Sequence, residues 1–95
     1  MDGHSVISPE VLARYALDAA AEVKGVHTKH RRGARVAGGV VDVHVVIDYG
    51  ANIPAVAAQV QKRVADYLQR MADVRPTAVN VVVDTNTKGK KVIHA

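Results

Sequence analysis

The chain has 95 residues, 48% of them apolar, and 13 lysines and arginines against nine aspartates and glutamates give it a net charge of +4. That suffices for one domain with a modest core, and the absence of cysteine excludes thiol catalysis, redox switching and thiolate metal sites. Aromatic residues make up 3%, with no tryptophan or phenylalanine, so there is little on which to stack bases or sugars.

The first predicted element is a helix opened by Ser8-Pro9-Glu10. Ser8 can cap free amides, Pro9 has a preset φ and no amide to leave unpaired, and Glu10 meets the positive end of the helix dipole. The helix is expected to run to about residue 24, with Val11, Leu12, Tyr15, Ala16, Ala19, Ala20 and Val23 on its apolar face. Arg14, Asp18 and Glu22 stand four apart on the other side, spaced to pair across turns. Gly25 is read as the left-handed cap that ends it.

A short strand is expected over residues 26 to about 31, followed by a glycine-rich hairpin connection through Gly33, Gly38 and Gly39. Next comes the sharpest feature of the chain. In Val41, Val43, Val45, Ile47 and Tyr49 every second residue is apolar, with Asp42, His44 and Asp48 among those between, as in a strand covered on one side. After a turn at Gly50 and a cap at Asn52, the apolar period lengthens to three and four. Ile53, Val56, Ala57, Val60, Val64, Tyr67, Leu68 and Met71 then form one helical stripe, with Pro54 in the first turn. Asp73-Val74-Arg75-Pro76 breaks that helix, and residues 77 to about 85 read as a third strand with Val79, Val81 and Val83 on one side.

The predicted fold is therefore α+β, in the order α-β-β-α-β, with a three-stranded mixed sheet and two helices packed on one face. A strand-helix-strand crossover makes the last two strands parallel. Residues 1–7 are expected to be a flexible N-terminus, 8–85 the single domain, and 86–95 a loose basic tail.

Two helices cover only one face of such a sheet. The uncovered face is predicted to carry Asp42, His44, Val46 and Asp48 from the second strand, Ala78, Asn80, Val82 and Asp84 from the third, and His27, Lys29 and Arg31 from the first. Val46, Val82, His44, Asn80, Asp42 and Asp84 are the candidate interface, because valines set beside rows of acidic and basic groups suit a self-complementary contact. The positive excess falls in one loop, Lys29, Arg31, Arg32 and Arg35, and in the tail at Lys88, Lys90 and Lys91. The loop is the candidate contact for anionic lipid or another anion.

No catalytic, cofactor or metal site is predicted. His27 and His30 are three apart on a strand and point to opposite faces, while His44 could face His27 across a hairpin without a carboxylate in fixed register. Asp42 and Asp48 are six apart, about 20 Å at strand rise, too far to share a proton or flank one bond. Asn80, flanked by Val79 and Val81, is expected to satisfy a neighbouring loop or backbone group. No apolar run approaches the ~18 residues that span a bilayer, and Met1-Asp2-Gly3-His4 lacks the start of a secretion signal, so the protein is expected to stay where it is made.

Taken together, Gly25-Val26 after an alanine-rich helix, Tyr49-Gly50 then Ile53-Pro54, Val56-Ala57 with Val60-Gln61 and Val64, and Val79-Asn80-Val81 resemble the alkaline-shock or Gls-type envelope stress response family. The resemblance spans roughly residues 8 to 84, and it departs at Ala72-Asp73, where the family usually has Thr-Gly. It implies a bacterial, non-enzymatic, homo-oligomeric adaptor, cytoplasmic and peripheral to the inner face of the membrane. A small membrane-anchored protein would be its partner, with weak contact to anionic lipid, no small-molecule substrate and no cofactor. The rival reading is a nucleic-acid-binding module similar to KH domains of the second type, gripping phosphates with the basic loop 29–35. Such modules use a Gly-x-x-Gly loop between two helices. Here the second helix is unbroken, so nucleic acid is the less favoured partner.

Overall fold

The structure is a computed structural model that describes residues 8–28, 33–48, 50–84 and 90–93, with Asp84 and the last four described by backbone alone. Its elements are α1 (Pro9–Ala21), β1 (Val26–Thr28), β2 (Ala34–Ala37), β3 (Val40–Ile47), α2 (Ile53–Ala72), β4 (Ala78–Asp84) and β5 (Lys90–Ile93). The predicted frame is present, a mixed sheet with both helices on one face, and it is extended at two places.

The first extension is β2, which occupies part of the expected connection. Gly38 and Gly39 have φ of 57° and 81°, the two left-handed residues that a tight primed turn requires. They join Ala37 directly to Val40, and the register then runs from Ala37↔Val40 to Ala34↔Val43. β1 pairs farther along the same edge of β3, from Val26↔Ile47 to Thr28↔Val45. Val26–Thr28 of the predicted first strand is seen as strand, and Lys29, His30, Arg31 and Arg32 lie outside the described residues. The second extension is β5, in the tail that was expected to be loose. It pairs antiparallel with β4, Val81↔Ile93 to Asp84↔Lys90, and so satisfies backbone groups that β4 would otherwise present at an open edge.

β3 and β4 run parallel, as the crossover through α2 requires, with Val41 beside Val79, Val43 beside Val81 and Val45 beside Val83. All six valines are buried. Their stiff branched side chains form a flat layer on which the helices lie. α1 packs over β1, β2 and β3, and α2 over β4, where Gln61 Nε2 also donates to the Val79 carbonyl at 3.2 Å. The helices are antiparallel. Tyr15 meets Tyr67 edge to face at 6.0 Å, and seven residues on, at the C-cap of α1, Glu22 meets Arg63 at 2.9 Å, four residues back in α2.

Ser8 caps α1 by accepting from the Val11 amide at 3.3 Å. The helix ends at Ala21, earlier than expected, because Val23 turns in to the core and Gly25 (φ 85°) serves the link to β1 rather than the helix end. Its apolar sector also differs. Ala13 and Leu17 are buried, whereas Val11 is 40% exposed. A helix wedged between a sheet and a second helix buries a wider arc than a single stripe, and the arc is turned toward α2. For the same reason Glu22 reaches across to Arg63 rather than pairing along its own helix.

Asn52 caps α2 by accepting from the Ala55 amide at 3.2 Å, and Ala57, Val60, Val64 and Leu68 are its buried stripe. Met71, predicted on that stripe, is 49% exposed. It lies in the last turn, just before the chain reverses at Asp73, whose φ of 55° and ψ of 37° are left-handed. This conformation costs a side chain about 1 kcal/mol relative to glycine. Asp73→Gly is therefore expected to stabilise the fold by about 0.5–1 kcal/mol, read as a rise of several degrees in melting temperature. A lower melting temperature would show that the Asp73 side chain holds the reversal.

Candidate functional site

Alternation along β3 sends Val41, Val43 and Val45 under the helices and Val40, Asp42, His44 and Val46 to the opposite face, all four half-buried. The registers arrange this face in rows across the sheet. Ala37, Val40 and Ala78 form the first, and Arg35, Asp42 and Asn80 the second. His44 stands beside Val82 in the third, and His27 beside Val46 beside the Asp84 position in the fourth. The candidate interface residues thus share one surface. No described helix lies over it, and Val46 and Val82 are half-buried there.

Two pairs of polar side chains on the face are engaged within it. Asn80 Nδ2 donates to Asp42 Oδ1, a carboxylate on the adjacent strand, at 3.0 Å. Parallel register puts the two residues side by side, and a partly buried bond to a charged acceptor adds about 1.5–3 kcal/mol. His27 Nε2 lies 2.7 Å from Asp48 Oδ1 with both side chains more than half exposed, a pair that water screens. His27 is opposite Val46, so it does not meet His44, whose backbone amide instead donates to the Gly33 carbonyl. Asp42 and Asp48 serve separate partners. Among the described residues no three histidine, cysteine or acidic side chains gather where they could hold a metal ion.

Arg35, predicted as part of a loop, is an exposed strand residue whose Cα lies opposite Asp42. Lys29, Arg31 and Arg32 lie outside the described residues. One feature was missed in the sequence, a groove of about 780 Å³ between the start of α1 and β2, lined by Val11, Ala13, Arg14, Ala34, Arg35 and Val36 among others. It follows from β2, and the pair Gly38-Gly39 was the signal that could have revealed it. On the outer side of α2 a smaller depression of about 330 Å³ is bordered by Lys62, Arg63, Asp66 and Arg70. Its charges are of mixed sign at helical spacing, and Arg63 is already held by Glu22.

Known proteins carry the same pattern. The sequence model of the alkaline-shock protein 23 family, described by a cell envelope-related function, matches residues 34–86. An uncharacterized protein of Streptococcus pyogenes serotype M6, Spy1535, is 32% identical over 100 residues, covering 86% of this chain and 78% of its own length. The uncharacterized protein YqhY of Bacillus subtilis is 30% identical over 113 residues, covering 95% of this chain and 84% of its own. No solved structure matches.

Proposed function

The chain belongs to the alkaline-shock protein 23 family, a non-enzymatic family with a cell envelope-related function, and on that premise we propose that it is a self-associating adaptor whose open sheet face docks against a second copy. The observation that carries the reading is the uncovered face itself. Half-buried Val40, Val46 and Val82 flank a row in which basic Arg35 and acidic Asp42 lie opposite each other. Such a surface can meet its own two-fold copy, valine to valine and Arg35 to Asp42.

The adaptor works on the cytoplasmic side of the membrane, held by a small membrane-anchored partner, with Lys29, Arg31, Arg32 and Arg35 giving weak attraction to anionic lipid. Among the described residues no helix is long and apolar enough to cross a membrane. Val46→Glu combined with Val82→Glu places two carboxylates in the docking face and leaves the helix-covered core untouched. The double variant is expected to fall to monomer mass by light scattering, with its circular dichroism unchanged. A monomeric wild type, or a variant that keeps the wild-type mass, would contradict the reading.

A further inference from the structure

We propose that the groove between α1 and β2 is a docking site for an extended segment of another protein, one that alternates apolar and acidic side chains and joins the sheet as a strand on the outer edge of β2. Among the described residues β2 pairs with β3 alone, so its other edge presents backbone donors and acceptors without a strand partner. A helix stands beside that edge with a groove of about 780 Å³ between them. Strand addition is the binding mode that such an edge and groove support. Backbone bonds supply affinity, and pockets for alternate side chains supply selection.

The walls specify the chemistry. Ala34 and Val36 lie opposite Val43 and Val41 and so share the helix side of the sheet, where Val11 and Ala13 of α1 complete an apolar channel. Val11 is one of two large apolar side chains with this degree of exposure among the described residues, and an incoming apolar residue would cover it. Arg35 falls on the other side of the strand, so the residue between two apolar ones passes beside a guanidinium. Arg14 lines the same groove, and no described residue forms an ion pair with it or with Arg35. Glu10 is the one acid among the described lining residues.

Charge also excludes a second copy as the occupant. The other edge strands of the sheet are β1, Val26-His27-Thr28, which carries no acid to meet Arg35, and β5, Lys90-Lys91-Val92-Ile93; β5, or β2 itself with its Arg35, brought against β2 would set cations against cations. An acidic strand from a different protein meets no such repulsion. The groove lies on the helix side of the sheet and shares only Arg35 with the open face, so the Val46→Glu, Val82→Glu variant perturbs that face without touching the groove.

The probe is an acetylated, amidated octapeptide, Ser-Val-Glu-Val-Glu-Val-Ser-Gly, titrated into the isotope-labelled 95-residue chain. Amide shifts are expected at Ala34–Ala37 and Val11. Affinity should fall about tenfold or more with lysine in place of glutamate in the peptide, with N-methylation of alternate peptide amides, or with Arg35→Glu in the protein, an exposed position whose substitution leaves the spectrum folded. Val46→Glu with Val82→Glu should leave the titration unchanged. No shifts at about 1 mM peptide, shifts that map to His44 and Val82 instead, or equal binding of the lysine or N-methylated peptides would overturn the proposal.

Discussion

Gly39→Val is expected to lower the melting temperature by about 10–20 °C, from a loss of about 2–3 kcal/mol. Three effects combine. The φ of 81° is one that a β-branched residue enters at a cost of about 1–2 kcal/mol. A Cβ there would stand 2.8 Å from Thr77 Oγ1 and 3.9 Å from the Thr77 amide nitrogen, so the side chain of Thr77 must give way. The Gly39 carbonyl also accepts from the Thr77 amide at 2.8 Å, a bond that holds the turn against the start of β4 and is worth about 1 kcal/mol. Gly38 supplies the control. It has φ of 57°, but an added Cβ would meet nothing within 4 Å, so Gly38→Val bears the backbone cost alone. Thermal unfolding of the two variants separates the terms, and equal losses would mean that the approach to Thr77 is unimportant.

Leu68→Ala is expected to cost about 3 kcal/mol, within the 2–5 kcal/mol usual for a buried leucine, and to lower the melting temperature by about 12–24 °C. Leu68 is the largest fully buried side chain among the described residues, and the other fully buried side chains are valines and alanines. Short branched neighbours cannot swing into the space that a leucine leaves, so the cavity stays open and the loss is felt in full. Met71, one turn on and half exposed, serves as the comparison. Met71→Ala should fall within about 0.5 kcal/mol of wild type in denaturant unfolding. A comparable loss at both positions would contradict the assignment of the α2 stripe.

The parts of the fold that depend on local patterning were legible in the sequence. The alternation from Val41 to Val45 and the stripe Ala57, Val60, Val64 and Leu68 are each set by one covered face, and each lies where its period places it. What escaped depends on neighbours that a period does not record. Leu17 and Ala13 are buried because α1 touches both the sheet and α2, and the expected single stripe put exposed Val11 in their place. β2 has four residues and only two apolar partners on its inner side, too little for a period, although Gly38-Gly39 at a two-residue spacing is itself a hairpin signal. β5 exists because β4 has an edge to pair, and its basic sequence resembles a tail.

The candidate surface was legible to the same extent. Alternation placed Asp42, His44, Val46, Asn80 and Val82 on one face, because a strand residue has only two faces to choose from. The bond between Asn80 and Asp42 was not legible, since it comes from the parallel register of β3 and β4, which no sequence period encodes. The groove over β2 was hidden with β2.

The most direct test of the open face as a contact surface is a concentration series of methyl-resolved nuclear magnetic resonance spectra of the wild-type chain. The Val46 and Val82 methyl signals should shift and broaden as concentration rises, while those of Val43 and Val81, beneath the helices, stay in place. Spectra that do not change with concentration, or changes confined to Val11 and Met71 on the helical side, would contradict it.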